Sequence, residues 1–543
     1  MTGLRRSLLV IPLLILACAL LGGLYGGHVK ATGADDDELE RSLRLLTRVY
    51  AAVEENYADP VNPERAIYNG AVPGMLRTLD PHSNFLDPKS YQLLREEQRG
   101  RYYGVGMQVA PRGGKTVVLA PFVGSPAYRA GLRPGDVIAK VDDKPTDNLS
   151  TTEVAELLKG PKGTSVRITV IREGSSRPLE FVIVRDEIPR PSIEQAYEIR
   201  PGVGYIRIAN FSETTGRELQ SNLRKLDARS LKGLVLDLRN NPGGLLTEGV
   251  AVADMLLARG QVIVSHKGRA SGEKVYRANQ GNHGLEYPLV VLINRQSASA
   301  SEIVAGAIQD HDRGLVVGET SFGKGMVQTV YPLGDTTGLA LTTAYFYTPS
   351  GRLIQRVFTG ISLYDYYYYR DEPDKNDNGT HRKQTRVTDS GRTVYGGGGI
   401  TPDEKITCGY FSVPSGVCYS LVPLKGFLRM LEVQKYAFFN FARHYLGRHN
   451  TIPRNFEVDD QVLSQFRHFL EQEKVSYAEQ DFQQNLDLIR RRIKQELLIS
   501  IFGKIEGDRI AIESDPQVLR AVELMPKAKA LAESARRILA QKR

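Results

Sequence analysis

The run Tyr287–Ile293, YPLVVLI, passing after a short turn into SASASEIVAGAI, constrains this chain more than any other feature. An apolar, β-branched run with no polar alternation reads as a buried strand, and Glu302–Ile308 reads as the helix that follows it. Ser299 stands at the junction. With Glu302 it forms an S-x-x-E capping box, which sets it ahead of the free N–H groups of a helix N-terminus, a suitable place to stabilise an oxyanion. Such a serine either merely caps the helix or acts as a nucleophile, since S-x-x-E before an apolar run is common.

Around this junction the chain alternates strand and helix: GYIRI from Gly204, a helix near Glu218–Leu226, LKGLVLDL, a helix near Leu246–Leu257, then QVIVS and YPLVVLI. This is the pattern of an α/β sandwich. After Leu236 comes DLRNNPGGL, where Pro242 halts the strand and Gly243 and Gly244 free the backbone for close approach. It is a tight strand-to-helix turn or the donor of an oxyanion-hole N–H. Further on, SFGKGMVQ sets Lys324 between two glycines. A lysine acts as a base only when neutral, so its site must favour the neutral amine by about 4 kcal/mol over water. Phe322, Met326 and Val327 supply apolar neighbours, and the neutral Gln328 can hold the amine without stabilising the ammonium. In a straight strand residues 324 and 328 stand about 13 Å apart, so a bend is expected at Gly325.

Competing chemistries fit poorly. Gly318–Lys324 matches G-x-x-x-x-G-K, but Gly325 replaces the Ser or Thr that holds magnesium in a P-loop, and VQTVYPL is strand-like where a helix is required. There is no G-x-S-x-G elbow and no H-E-x-x-H zinc motif.

Upstream, Leu39–Tyr57 and Ala66–Leu79 read as helices, broken by Asp80, Pro81 and His82, the last taken as a structural turn residue. Residues 99–186 turn to short strands with glycine-rich turns. Gly104, Val105, Gly106 and Met107 form either a plain turn or a nest of N–H groups for a terminal carboxylate. A capped helix begins at Ser150 with Glu153, and its Val154, Leu157 and Leu158 line a peptide groove or serve the domain core.

The blocks DPHSNFL, GVGM, GLRPGDVI, DLRNNPGG, SASASEI, SFGKGMVQ, TPSGR and GGGGITPD, in this order over about residues 40–405, resemble those of the carboxy-terminal processing, or tail-specific, proteases. The resemblance implies a serine endopeptidase with Ser299 as nucleophile, Lys324 as general base and Gln328 orienting the lysine. The Gly243 or Gly244 amide with that of Ala300 would form the oxyanion hole. It further implies a core related to the Clp protease and crotonase folds and a PDZ domain that selects substrates by apolar C-terminal tails, with no metal or organic cofactor. A non-catalytic PDZ scaffold that recruits another protease is the alternative.

At 543 residues the chain is multidomain. The expected fold is multidomain α/β: an export signal or anchor (1–33), a helical N-terminal unit (34–97), a PDZ domain (98–187), a protease core (188–407) with a polar, tyrosine-rich surface insertion at about 364–395, and a mostly helical extension (408–543). That extension is a candidate for homo-oligomer or adaptor contacts. Arg5 and Arg6 before the apolar run Leu8–Leu24 resemble an export signal with no convincing cleavage site, which favours an uncleaved anchor and a bacterial periplasmic or outer-face inner-membrane location. Cys18 only loosely fits a lipoprotein box. Cys408 and Cys418 form a small disulfide loop in an oxidising compartment or remain buried thiols. The net charge of +9 is scattered among acidic neighbours, which argues against nucleic acid. Arg490–Lys494 is expected on a solvated helix face. Asp374, Asn376, Asn378 and Gly379 imitate a calcium loop, but Thr385 stands where its bidentate glutamate belongs.

Overall fold

The computed structural model describes residues 36–368, 384–411, 417–420, 426–449 and 451–542. They fall into two units that divide after Met75. The first is helical. Asp36–Asn56 forms one helix; Asn62 then caps Pro63–Ala66 by accepting from the Arg65 N–H, and a π-helical turn, Ile67–Ala71, leads into Val72–Arg77.

In the second unit a six-stranded sheet runs in the order Ile193–Arg200, Val203–Ile208, Gly233–Asp237, Leu289–Ile293, Leu315–Gly318, Glu404–Lys405. The first two strands are antiparallel and the rest are parallel. Every residue of Leu289–Ile293 is buried, which is why its apolar run is unbroken. One face is covered by the helices Thr215–Lys225, Leu246–Asp254 and Ala300–Asp310, through side chains such as Leu219, Val252, Ile303 and Val304. Each such side chain stabilises the fold by about 1.5–3 kcal/mol. The other face is covered by the last helices of the chain, which contribute Ile512, Val518, Ala521, Leu524 and Ala528.

The segment 408–543 is therefore not a single appendage. Its helices between Gly426 and Phe502 enclose an aromatic core of their own around Phe438, Phe441, Phe466 and Phe482. The helices Lys504–Glu513, Pro516–Glu523 and Met525–Lys542 complete the sheet instead. The solvated-face reading of Arg490–Lys494 fails at Arg492, which is buried against Glu432 and Glu496. The reading of residues 364–395 as a surface insertion fails at Tyr366, only 1% exposed.

A second sheet pairs Asn84–Leu86, Gly338–Tyr347, Val262–Lys267 and Lys274–Arg277, with Met326–Pro332 against Gly338–Tyr347. The PDZ sheet holds Met107–Arg112, Lys115–Pro121, Val137–Val141, Ser165–Ile171 and Leu179–Val184, and is joined to the core by the antiparallel pair Arg101–Gly104 and Asp186–Pro189. Met107–Arg112 is an edge strand with an open ladder side, the requirement for adding a peptide strand. Val105, Met107, Val154 and Leu158 belong to the domain core, whereas Leu157 lies at its rim.

Cys408 and Cys418 are joined in a disulfide. Among the described residues no helix is long and apolar enough to cross a membrane. The Leu8–Leu24 run, Cys18 and the Asp374–Gly379 stretch lie outside the described residues.

Where the sheet meets the last helices, Arg239 is fully buried and bonds Asp237 (2.6 Å), Asp515 (2.8 Å) and Gln517 (2.7 Å). Burial opposes the Asp237 charge, but Arg239 and Arg207 hold its carboxyl below the usual range. Arg239→Ala would take the nearest guanidinium from two buried carboxylates. Urea unfolding should show a loss of about 3–5 kcal/mol; a loss under 1 kcal/mol would mean the network is not holding the last helices to the sheet.

Candidate active site

Gly233–Asp237, Leu289–Ile293 and Leu315–Gly318 are neighbours and run parallel, so the segments that follow them leave the sheet at one carboxyl edge, where open α/β sheets carry their sites. These segments are DLRNNPGG, SASAS and SFGKG.

Two other serines show what simple capping looks like in this protein. Ser125 and Ser150 have extended backbones (φ −70°, ψ 165° and φ −65°, ψ 155°), and their hydroxyls accept N–H groups of the helices they precede. Ser299 differs. Its backbone is at φ 53°, ψ −114°, and its hydroxyl makes no cap hydrogen bond, although Glu302 completes the box by accepting the Ser299 N–H at 2.9 Å. Holding a non-glycine residue there costs on the order of 1–3 kcal/mol, and such strain gathers at functional sites. The neighbouring serines are committed elsewhere. Ser297 donates to Leu238 O (2.8 Å) and Ser301 to Asn241 O (2.9 Å), both fully buried, while Ser299 is half-buried.

Glu302 ties the two loops together. Fully buried, it accepts from Ser321 Oγ (2.5 Å) and Gly323 N–H (2.7 Å) on one oxygen, and from Ser299 N–H and Lys324 N–H (both 2.9 Å) on the other. Burial pushes its carboxyl up to about 7, against the pull of these four donors. The Lys324 side chain is half-buried, and burial lowers its amine below the usual lysine range while Glu302 and Asp80 act in the opposite direction. Among the described residues no hydrogen bond joins Ser299 Oγ, Lys324 Nζ and Gln328 to one another. The Gln328 carboxamide donates to Thr342 Oγ1 at 3.1 Å. The positive φ that brings Lys324 in is at Gly323 (87°), and the expected irregularity continues as a bulge between Val327 and Gln328.

The Pro-Gly-Gly turn lies against the serine. A Cβ on Gly243 would stand 2.8 Å from Ser299 Cβ and 3.0 Å from Ala300 N, and one on Gly244 would stand 2.1 Å from Phe211 O, so neither tolerates a side chain. The Gly243 N–H donates to Asn241 Oδ1 at 2.8 Å. Among the described residues the Gly244 and Ala300 N–H groups donate to no partner.

Beside Lys324 opens a cleft of about 580 Å³ that also meets Ala298, Pro242, Phe322, Tyr367 and His82. His82 thus lies at the site rather than in a remote turn. Burial, then the Lys324 charge, lowers its imidazole to about 4. The DPHSNFL block carried the family resemblance but not this placement, because His82 and Lys324 line the same cleft across 242 positions of chain. The role of Glu302 left a local signal beyond its capping box: a carboxylate heading IVAGAI, on a helix with no polar face, has nowhere to go but inward.

Residues 202–362 match the family model for peptidase family S41, 117–172 a PDZ domain, and 428–481 the C-terminal helical domain of a probable PDZ-protease. The chain is 40% identical over 331 residues to a carboxy-terminal-processing protease of Bartonella bacilliformis, covering 60% of this chain and 75% of that one. It is 36% identical to a carboxyl-terminal-processing protease of Synechocystis, over 63% of this chain and 84% of the other. Among solved structures it is similar to a photosystem II D1 C-terminal processing protease, 33% identical with a TM-score of 0.34, over 59% of this chain and 91% of that one. The S41 and PDZ matches, carried on an α/β core with an adjoining PDZ sheet, make this a PDZ-bearing serine peptidase. The chain belongs to the carboxy-terminal processing proteases of peptidase family S41.

Glu302→Gln keeps the volume but offers one acceptor oxygen in place of two, which orphans at least one N–H and should cost about 1–3 kcal/mol. Because the folded carboxyl is raised from 4.5 to about 7, the wild type carries a stabilisation that is complete below about pH 4.5 and lost as pH rises through 7. Glutamine does not titrate, so the stability gap between wild type and variant should narrow over that window in urea titrations. A gap that widens would reverse the assigned shift.

Proposed function

We propose that this peptidase cleaves by acyl transfer, with Ser299 attacking the scissile carbonyl and neutral Lys324 taking its proton. The single observation that carries this reading is the backbone of Ser299, strained out of capping geometry while Glu302 holds the Ser299 and Lys324 amides on one oxygen. The positive φ sets Ser299 apart from Ser125 and Ser150, which cap their helices from extended backbones. The desolvated amine can take the Oγ proton without a hydroxide-like pH; the resulting ammonium gives that proton to the leaving amine as the C–N bond breaks, and the amine, neutral again, activates water for deacylation. The Ala300 N–H and the Gly244 N–H are the donors available to the tetrahedral oxyanion, with Gly243 required for the close approach of the turn. Gln328 acts in this reading after a side-chain rotation from Thr342 toward Lys324 on substrate binding.

The substrates are exported proteins with apolar, free C-terminal tails. Support for export comes from the Arg5-Arg6 and Leu8–Leu24 pattern and from the Cys408–Cys418 disulfide, which belongs in an oxidising compartment. The apolar run would hold the enzyme at the membrane. Tail capture uses the open edge of Met107–Arg112 together with the Val105 and Gly106 N–H groups, which donate to no partner among the described residues. The inactive-scaffold reading has no observation in its favour.

An unstructured reporter with an apolar terminus tests both halves. Ser299→Ala and Lys324→Arg should each lower turnover by at least about a thousandfold, the arginine because a guanidinium does not deprotonate. Wild-type turnover should rise with pH through an apparent pKa below 10.5, the ordinary lysine value from which Lys324 is lowered. Amidating the reporter's terminus should raise KM and leave the ascending limb in place. Near wild-type turnover by Lys324→Arg would end the lysine-base reading.

A further inference from the structure

The cleft beside Lys324 has one wall made by residues far apart in sequence. His82 comes from the segment ahead of the PDZ domain, Phe322 from the lysine loop and Tyr367 from the tyrosine run, with the buried Tyr366 packed behind them. Their rings pack edge to face: Phe322 lies 5.6 Å from Tyr366, and His82 lies 5.6 Å from Tyr366 and 6.1 Å from Tyr367. Arg356 backs this wall, its guanidinium 5.3 Å from the Phe322 ring centre and 4.8 Å from that of Tyr366.

Hydrogen bonds fix the rings in place and select one imidazole tautomer. Tyr367 Oη donates to Pro81 O at 3.1 Å, so it can only accept from His82 Nδ1, 3.4 Å away. His82 Nε2 is then the acceptor for Tyr366 Oη at 3.0 Å, and Tyr366 Oη in turn accepts from Gln355 Nε2 at 3.3 Å. Gln355 closes the chain by accepting the Gly325 N–H at 2.8 Å, one residue from Lys324. Every donor in this sequence meets an acceptor only if the imidazole is neutral. Its lowered pKa of about 4 and the raised phenols of Tyr366 and Tyr367 agree with a wall that carries no charge of its own.

Building on the Ser299–Lys324 reading, we infer that this cleft is the subsite for the substrate side chain next to the scissile bond, and that Tyr367, held by His82, makes it selective for large neutral side chains, aromatic or aliphatic. The cleft volume of about 580 Å³ exceeds what a small side chain fills, and its aromatic wall gives an apolar side chain contact that water cannot match. Charged side chains fail for two different reasons. An acidic one beside Lys324 would stabilise the ammonium and silence the base, and a basic one would meet Arg295, which also lines the cleft, with no carboxylate among the described lining residues. His82 is a positioning residue, since it touches the wall and not the reacting atoms.

The test uses the full-length protein and reporters that share one apolar tail but differ in the residue beside the mapped cleavage point: Phe, Leu, Ala, Ser, Glu or Lys. Wild type should cleave the Phe and Leu reporters with kcat/KM at least about tenfold above the Ala and Ser reporters, and the Glu and Lys reporters least. Tyr367→Ala should erase the Phe-over-Ala preference, whereas Tyr367→Phe, which loses the hydroxyl's bonds to Pro81 and His82 but keeps the ring packed against His82, should retain it. His82→Ala should weaken the preference in the same sense, and the shared tail should keep tail-dependent KM effects common to all reporters. Labelling of Ser299 by a serine-reactive fluorophosphonate serves as the control: equal labelling in wild type and Tyr367→Ala shows the Ser299–Lys324 machinery intact. An unchanged Phe-to-Ala ratio in Tyr367→Ala with normal labelling overturns the subsite. Absence of labelling in wild type overturns the reading on which it rests.

Discussion

One buried carboxylate organises this site. Glu302 gathers four donors, three of them backbone N–H groups from the serine turn and the lysine loop, and without it those groups would be orphaned at the centre of the protein. Its position at the third residue of a helix buried along its whole length leaves it no route to solvent. The strain at Ser299 is sustained by the same contacts. Glu302 holds the Ser299 N–H, the helix begins at Ala300, and the Pro-Gly-Gly turn packs against the serine Cβ, so relaxation of φ would break several bonds at once.

The remainder of the fold can be understood as support for that arrangement. Three adjacent parallel strands deliver the three loops to one edge, and the ionic network of Arg239 anchors the Asn240–Gly244 turn from below through Asp515 and Gln517. The last helices of the chain, more than 270 residues from Arg239, are in this way structural parts of the catalytic core. The Cys408–Cys418 link meets the same network, because the Cys418 N–H donates to Asp515 at 2.7 Å.

Much of this was legible from residues alone, for identifiable physical reasons. YPLVVLI has no polar alternation and is buried on both faces; GVGM, Ser150 with Glu153, and PGDVI fall where the PDZ elements form. Ser299 and Lys324 stand in local patterns, a strand-to-helix junction and a glycine-flanked lysine, but those patterns fit capping and a turn equally well, and their catalytic roles came from the family resemblance. What escaped were long-range pairings. Periodicity identified the C-terminal helices but not the sheet they cover, and a tyrosine run that looks polar in sequence supplies Tyr366 to a buried wall through hydrogen bonds to His82 and Gln355. The groove residues Val154 and Leu158 met the opposite limit: an apolar helix face does not say whether it meets a ligand or its own sheet, and here it meets the sheet.

The central claim is that one serine among three closely spaced serines is activated, and that the lysine activates it. Mass-spectrometric mapping of a fluorophosphonate adduct, followed as a labelling rate in native wild type and in Lys324→Met, addresses it most directly. The account predicts a single adduct on Ser299, none on Ser297 or Ser301, and a labelling rate that falls at least about a hundredfold when the amine is replaced by the similarly long but non-basic methionine. An adduct on Ser297 or Ser301, or a labelling rate at Ser299 unchanged in Lys324→Met, would contradict it.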